Sequence, residues 1–142
     1  MHTHLIVSKA SRVFLPVSSV DVTTAGDQSV LISVCIADPG FGASADDLRA
    51  IPAERIGYIQ LSDTTMHKRM EHYAEEAMFE RMVPGEGELP LLDMLTALPE
   101  DLVVGLEIPM RSRAEAGISA PERLLPCIES ARSLLNAARE NH

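Results

Sequence analysis

Long apolar runs and an excess of basic residues are both missing from this chain. The amino-terminal apolar run covers only residues 5–7, which is too short for a signal-peptide core or a membrane span, so we expect no targeting segment. Twelve basic residues stand against 21 acidic ones, giving a net charge of −9 that repels phosphate backbones and anionic bilayers. We therefore expect neither nucleic acid nor a membrane as a main partner.

Cysteine is also scarce, and the two cysteines lack the spacing of a metal or redox motif. Cys35 lies in an apolar run and Cys127 in a helical pattern, so both are predicted to be reduced thiols in the core of a cytoplasmic protein. Apolar residues make up 46% of the 142 residues, enough for a sizeable core. We predict a single domain over residues 1–142, with residues 1–12 flexible.

Three apolar runs rich in β-branched residues predict interior strands, over residues 30–36, 56–61 and 102–108, and a shorter candidate covers 13–17. Their continuous apolarity indicates burial on both faces, as in a parallel sheet. Helical patterns lie between and after them: 45–50 with Ser44 as cap, 66–82, 90–98 with Leu91, Leu92 and Leu95 facing inward, and a last helix from the capping box Ser119–Glu122 to about residue 140. The pattern predicts an α/β fold with about four parallel strands and flanking helices.

Two details of these helices carry expectations of their own. Pro126 lacks a backbone donor and is expected to kink the last helix or delay its start by a turn. The acidic residues of the second helix are expected to form a solvated face; they are Glu71, Glu75, Glu76 and Glu80.

Glu107 interrupts the apolar strand over residues 103–109, and this carboxylate is the first candidate for chemistry. A buried carboxylate is costly to desolvate, so it usually has a proton, a cation or a metal beside it. The alternative is a simple ion pair with Arg81 or Arg111.

Five sequence elements, taken in order, resemble a known family. They are Ile59-Gln60-Leu61-Ser62-Asp63, then Glu76-Ala77, then Arg81, then Pro84-Gly85-Glu86-Gly87-Glu88-Leu89-Pro90-Leu91, then Gly105-Leu106-Glu107-Ile108-Pro109. The set resembles the carboxy-terminal part of sugar-phosphate isomerases and epimerases that have a xylose isomerase-like TIM barrel. The likeness covers about residues 29–139 and is carried by the order of the elements.

The resemblance implies a divalent metal, Mg²⁺, Mn²⁺ or Zn²⁺, that polarises a sugar while carboxylates move a proton between neighbouring carbons. Glu107 matches a metal-binding glutamate, Gln60 matches a metal or substrate ligand, and Arg81 matches a residue that contacts substrate oxygens. Asp63 is expected either to act in catalysis or to cap the segment that follows it. A local bulge would bring Asp38 into the metal site as a further ligand.

Other ligand positions of the family fall on apolar residues here, namely Val13, Val34 and Ala37. The backbone N–H groups of the Pro84–Glu88 turn either face a sugar or phosphate oxygen or belong to a plain loop.

Size points to an incomplete barrel, because a complete one needs about 250 residues. Half a barrel exposes two sheet edges, so a homodimer or larger assembly is expected to cover them. Two functions remain open: a divalent-metal-dependent sugar (phosphate) isomerase or epimerase, and a truncated, catalytically inactive relative that acts as a binding or assembly protein.

Overall fold

The computed structural model describes residues 5–7, 23–25, 29–31, 44–67 and 73–142. Five short strands and five helices lie in these ranges: β1 Leu5–Val7, β2 Thr23–Ala25, β3 Ser29–Leu31, α1 Ala45–Arg49, β4 Ile56–Leu61, α2 Tyr73–Phe79, α3 Leu91–Thr96, β5 Val103–Leu106, α4 Arg111–Glu115 and α5 Ala120–Glu140. A 3₁₀ turn, Ala53–Arg55, leads directly into β4.

The strands form one sheet in the order β1-β5-β4-β3-β2. β1, β5, β4 and β3 run parallel to their neighbours, whereas β2 pairs antiparallel with β3 at one edge. The predicted mixture of helices and parallel strands is therefore confirmed. The antiparallel edge strand β2 was not expected. β1 and β2 were not predicted, because three residues carry too little pattern. The candidate strand 13–17 lies outside the described residues.

Several predicted elements match the structure closely. β4 has the predicted bounds, β5 occupies the middle of the run 102–108, and α3 lies inside 90–98. α1 follows Ser44 as expected: the Ser44 hydroxyl accepts the Asp47 N–H at 3.2 Å, and the Ser44 N–H donates to the Asp47 carboxylate at 2.8 Å. β3 accounts for only the start of the run 30–36, whose remainder lies outside the described residues.

α2 ends earlier than its composition predicts. The expected helix ran to Met82, yet Phe79 is its last residue, because Glu80 and Met82 form β-bridges to Met110 and Asp63. Tertiary pairing has thus overridden helix propensity in residues 80–82.

Pro126 does not delay α5, so that part of the prediction was wrong. The helix begins at Ala120, where the Ser119 N–H donates to the Glu122 carboxylate at 3.0 Å, and it continues through Pro126. Pro126 is exposed, and the helix then buries Cys127 and Ala131 against the core. The cap before Pro126 and the packing after it outweigh one missing backbone hydrogen bond.

The core lies between the sheet and the pair α3 and α5, which pack against each other. Ile59 and Leu61 of β4 and Val104 and Leu106 of β5 are all buried, together with residues of the two helices: Leu91, Met94, Leu95, Cys127 and Ala131. The inward direction predicted for Leu91 and Leu95 is confirmed, and Leu92 is half-buried. Because side chains alternate along a strand, Gln60 and Gly105 belong to the opposite face of the sheet.

Cys127 is a free thiol that is fully buried, as predicted, and burial raises its pKa above 9.0. Cys35 lies outside the described residues. In the described part of the chain, the helices are too short or too polar to cross a bilayer.

We expect Pro126→Ala to raise the free energy of unfolding by up to about 3 kcal/mol, because alanine restores a donor to the Glu122 carbonyl and removes the ring from the helix interior. Chemical denaturation measures the change. Ser133→Ala, at another exposed position of α5, is the control and should stay within about 0.5 kcal/mol of the parent. An unchanged or lower midpoint for Pro126→Ala would contradict the expectation.

The capping boxes predict a dependence of stability on pH. Hydrogen bonds from the Ser119 hydroxyl and N–H hold the pKa of Glu122 below its ordinary 4.5. When folding lowers the pKa of a carboxyl group, the ionised group stabilises the folded state at pH values above the unfolded-state pKa. That stabilisation is lost as the pH falls through the folded-state pKa. Ser119→Ala removes the hydroxyl and keeps the backbone N–H, so it should return the Glu122 pKa part of the way to its ordinary value and reduce that pH-dependent part of the stability.

Carboxyl-carbon NMR titration combined with denaturation at neutral and acid pH tests this. Ser44→Ala is the matched control, because it should change the pKa of Asp47, which its own cap lowers, and leave Glu122 as it is. An unshifted Glu122 titration in the parent would contradict the assignment.

Candidate functional site

The carboxyl ends of β4 and β5 bring Gln60 and Glu107 to the same part of the sheet. Gln60 pairs in register with Gly105, and the N–H of Glu107 donates to the carbonyl of Leu61 at 3.2 Å. Glu107 lies two positions beyond Gly105, so alternation puts it on the same face as Gln60 and away from the helix-covered core. Both side chains are half-buried. The predicted proximity of these two residues is thus met by the backbone register.

Residues 80–83, which we call the strap, cross these strand ends. The N–H of Arg81 donates to the Pro109 carbonyl at 2.7 Å, and the N–H of Met82 donates to the Asp63 carbonyl at 2.9 Å. Arg81 is therefore fixed between the segments that follow β4 and β5. Its side chain is only 7% exposed, and its Nη1 atom and Oε2 of Glu107 are both buried. The strap thus brings the backbone of Arg81 to the strand ends that carry Gln60 and Glu107.

Asp63 is fully buried, and its carboxylate accepts four backbone N–H groups. Oδ1 accepts from Thr64 at 2.8 Å and from Leu89 at 3.4 Å. Oδ2 accepts from Gly85 at 2.7 Å and from Gly87 at 3.0 Å. A carboxylate has about four acceptor positions, so these bonds use its capacity. Asp63 takes the capping role that the sequence left open, and its part in catalysis stays a prediction.

Two N–H groups of the Pro84–Glu88 turn, those of Gly85 and Gly87, are consequently directed at Asp63. The loop has three further attachments: Glu88 N–H to the Thr64 carbonyl at 2.9 Å, Met66 N–H to the Glu88 carboxylate at 2.6 Å, and the Ser130 hydroxyl to the Pro84 carbonyl. Contacts to the segment after β4 and to α5 hold the loop from two sides.

Glu76 was expected on a solvated helix face, and this expectation was wrong. Its side chain is only 1% exposed, and its Oε1 accepts the Thr64 hydroxyl at 2.6 Å. Because the Thr64 N–H donates to Asp63, Thr64 connects two buried carboxylates. Sequence analysis did not single out Thr64. It included Glu76 in the resemblance but assigned it to the surface, because a glutamate in an acidic run is typical of a solvated helix face.

Glu80 and Arg111 join α2 to α4. The Glu80 carboxylate accepts the Ser112 N–H at 2.7 Å and its hydroxyl at 2.9 Å, which caps the start of α4. The Arg111 guanidinium lies 4.0 Å from the Phe79 ring centroid and 3.4 Å from Glu75. These contacts fix the segment after Glu107 from the outside.

The described residues do not complete a divalent-metal site. They contain no group of three or more His, Cys, Asp or Glu side chains that could hold a metal ion. Glu107 and Gln60 supply one carboxylate and one amide, which is fewer than the three or four protein ligands of a zinc site, and Mg²⁺ would need water and substrate oxygens to complete its coordination. The third predicted ligand, Asp38, and the apolar positions Val13, Val34 and Ala37 lie outside the described ranges.

Comparison with known proteins adds no assignment. Models of known protein families and sequences of curated proteins were both searched, and neither search found a match.

The close approach of Gly87 to Asp63 generates a prediction. A Cβ atom on Gly87 would lie 2.2 Å from Oδ1 of Asp63 and 2.6 Å from the Thr64 carbonyl oxygen, distances that atoms cannot adopt without movement. We expect Gly87→Ala to lower the free energy of unfolding by about 2–3 kcal/mol, measured by denaturation.

Two other glycines provide controls for this substitution. Gly85 (φ +88°) and Gly117 (φ +83°) have left-handed backbones, and a Cβ there would meet ordinary contacts or open space. Alanine at either should cost about 1–2 kcal/mol from backbone strain alone. A loss for Gly87→Ala that is no greater than for Gly117→Ala would contradict the contact with Asp63.

Proposed function

We propose that the chain is a sugar (phosphate) isomerase or epimerase-like protein of the cytoplasm, built on part of a xylose isomerase-like barrel. The observation that carries the proposal is the convergence of Gln60, Arg81 and Glu107 on the carboxyl ends of β4 and β5. The resemblance gives these three residues functional roles, and they are distant in sequence. Their proximity in the fold supports a common site.

The arrangement of the strands supports the barrel part of the proposal. β3, β4 and β5 are parallel and neighbour one another in chain order, as successive strands of a barrel wall do. Helices α3 and α5 cover one face, and Gln60 and Glu107 lie on the other, which corresponds to the inside. Enzymes with this architecture place their active sites at the carboxyl ends of the strands.

Each residue has a chemical task in this proposal. The Glu107 carboxylate takes a proton from the carbon beside the sugar carbonyl, which leaves an enediolate, and returns it to the neighbouring carbon on the same face while the hydroxyl proton moves from one oxygen to the other. Epimerisation would need a second acid on the opposite face of the sugar. The Arg81 guanidinium donates hydrogen bonds to hydroxyl or phosphate oxygens. The Gln60 amide can both donate to and accept from sugar hydroxyls. These three groups can bind a sugar and move one proton.

A divalent metal, when bound, would polarise the sugar carbonyl and hydroxyl. Because the described donors do not complete its site, further ligands would have to come from Asp38 or from a second copy of the chain. The proposal therefore includes a homodimer or larger assembly that also covers the sheet edges at β1 and β2.

A catalytically inactive relative that binds sugars or supports an assembly is the second candidate. The observation that favours it is the use of Asp63 and Glu76 within the scaffold, which leaves Glu107 as the carboxylate on the other face of the sheet. Proton transfer between two carbons commonly needs two groups that can take and give a proton, whereas binding needs only hydrogen bonds.

Deuterium uptake from D₂O distinguishes the two candidates. The chain is incubated with keto- and aldopentoses, hexoses and their phosphates, with Mg²⁺, Mn²⁺ or Zn²⁺ added, and the sugars are analysed by mass spectrometry. We expect deuterium at the carbon next to the carbonyl. Glu107→Gln keeps the size of the side chain, removes the base and should slow the uptake by at least about 100-fold.

Glu129→Gln, on the exposed side of α5, is the matched control and should leave the rate unchanged. Absence of uptake with every sugar and metal, and no rise in melting temperature with any of the three ions, would overturn the isomerase proposal. A rise in melting temperature with a sugar, without deuterium uptake, would instead support the binding candidate.

A further inference from the structure

We propose that Asp63 is a positioning residue: its carboxylate is an internal anion enclosed by the backbone of residues 84–89, and it fixes the strap that carries Arg81. This role goes beyond the capping of a single turn. Its consequence for ligand binding rests on the proposed function, but the geometry itself can be tested without a ligand.

The first step is the convergence of donors. The N–H groups of Gly85, Gly87 and Leu89 come from one loop and meet the two oxygens of a side chain more than 20 positions earlier. Alternate N–H groups of the loop point at the carboxylate, while those of Glu86 and Glu88 donate to backbone carbonyls, so the loop forms a concave anion site. Here the anion is part of the chain and is completely buried, so it is held permanently.

The second step is steric. Gly87 passes so close to Asp63 that the space of its missing Cβ is already occupied by the carboxylate, whose Cγ would lie 2.5 Å away. The loop therefore closes around the side chain, with backbone in direct contact with it. A plain surface turn would not need such an approach.

The third step connects the loop to Arg81. Asp63 accepts hydrogen bonds at two places: its main-chain carbonyl accepts the Met82 N–H, and its carboxylate accepts N–H groups of the loop that starts at Pro84. Arg81 lies directly before this doubly bound segment, and its own N–H is held by Pro109. Removal of the carboxylate should therefore free the loop that follows the strap, and leave the strap held by backbone bonds to Asp63 and Pro109 and by the contact of Glu80 with Ser112.

The fourth step separates charge from shape. Asparagine has nearly the same shape as aspartate, but its NH₂ group would face backbone N–H donors and could not accept their hydrogen bonds. A small carboxylate such as formate, in contrast, should fit the space that alanine leaves and accept the same donors. Rescue by formate is expected of an anion site and would not follow from lost packing alone.

The wild-type chain provides the first test. Scalar couplings measured across hydrogen bonds by NMR should connect the amide nitrogens of Gly85 and Gly87 to the Asp63 carboxyl carbon. These amides and that of Leu89 should exchange slowly with D₂O. Absent couplings together with fast exchange would overturn the proposal, whatever the variants do.

Asp63→Ala and Asp63→Asn provide the second test, with Asp101→Ala in an exposed turn as the control. In both Asp63 variants, protection of the Gly85, Gly87 and Leu89 amides should fall at least about tenfold relative to Ile59 and Val104. The Arg81 Nε–H resonance should shift or broaden at the same time. Sodium formate, compared with sodium chloride at equal ionic strength, should reverse both changes in Asp63→Ala and should not reverse them in Asp63→Asn. The control Asp101→Ala should show neither change in either salt.

Uniform loss of protection throughout the chain, without rescue, would show a structural role only and would overturn the positioning of Arg81. If Asp63→Ala does not fold, Gly87→Ala keeps the carboxylate and should produce the same local loss. Failure of the deuterium-uptake test would not alter these results, because none of them requires a sugar.

Discussion

The buried charge of Asp63 is the constraint on which the surrounding structure depends. Moving a carboxylate out of water costs several kcal/mol, and that cost has to be offset by hydrogen bonds of good geometry. Four backbone N–H groups supply them, each strengthened by the negative charge they face. Because the donors belong to two segments, the charge is stable only when the end of β4 and the loop after the strap are in place together.

Further hydrogen bonds connect the buried Asp63 with helices α2 and α4. Thr64 donates its N–H to Asp63 and its hydroxyl to Glu76, so α2 is connected to the same buried charge. Beyond α2, the Glu80 carboxylate caps α4, which follows directly on the segment after Glu107. The elements that surround the carboxyl ends of β4 and β5 are therefore connected by polar contacts, while the apolar core lies on the other face of the sheet.

Local patterns predicted the elements whose cause is local. β4 is a continuous apolar run, α1 has its cap in sequence, and both have nearly the predicted bounds. Features caused by distant residues could not be predicted in this way. The sequence predicts an exposed Glu76, which is instead buried and accepts the Thr64 hydroxyl. It also predicts a helix over residues 80–82, which instead form bridges to the segments that follow β4 and β5. For the site, sequence likeness named candidate residues whose roles stay predictions, whereas the hydrogen bonds of the loop amides to Asp63 follow from tertiary structure alone.

Which carboxylates the scaffold encloses also bears on the chemistry. Among the described residues, the carboxylates of Asp63 and Glu76 are enclosed by the scaffold, whereas Glu107 lies on the face shared with Gln60. A reaction that needs two carboxylates would have to obtain the second from outside the described residues or from another copy of the chain. Binding by Glu107, Gln60 and Arg81 needs no such addition. A fixed Arg81 would therefore suit either proposed function, since a sugar isomerase and a sugar-binding protein would both have to hold the oxygens of a sugar in one orientation.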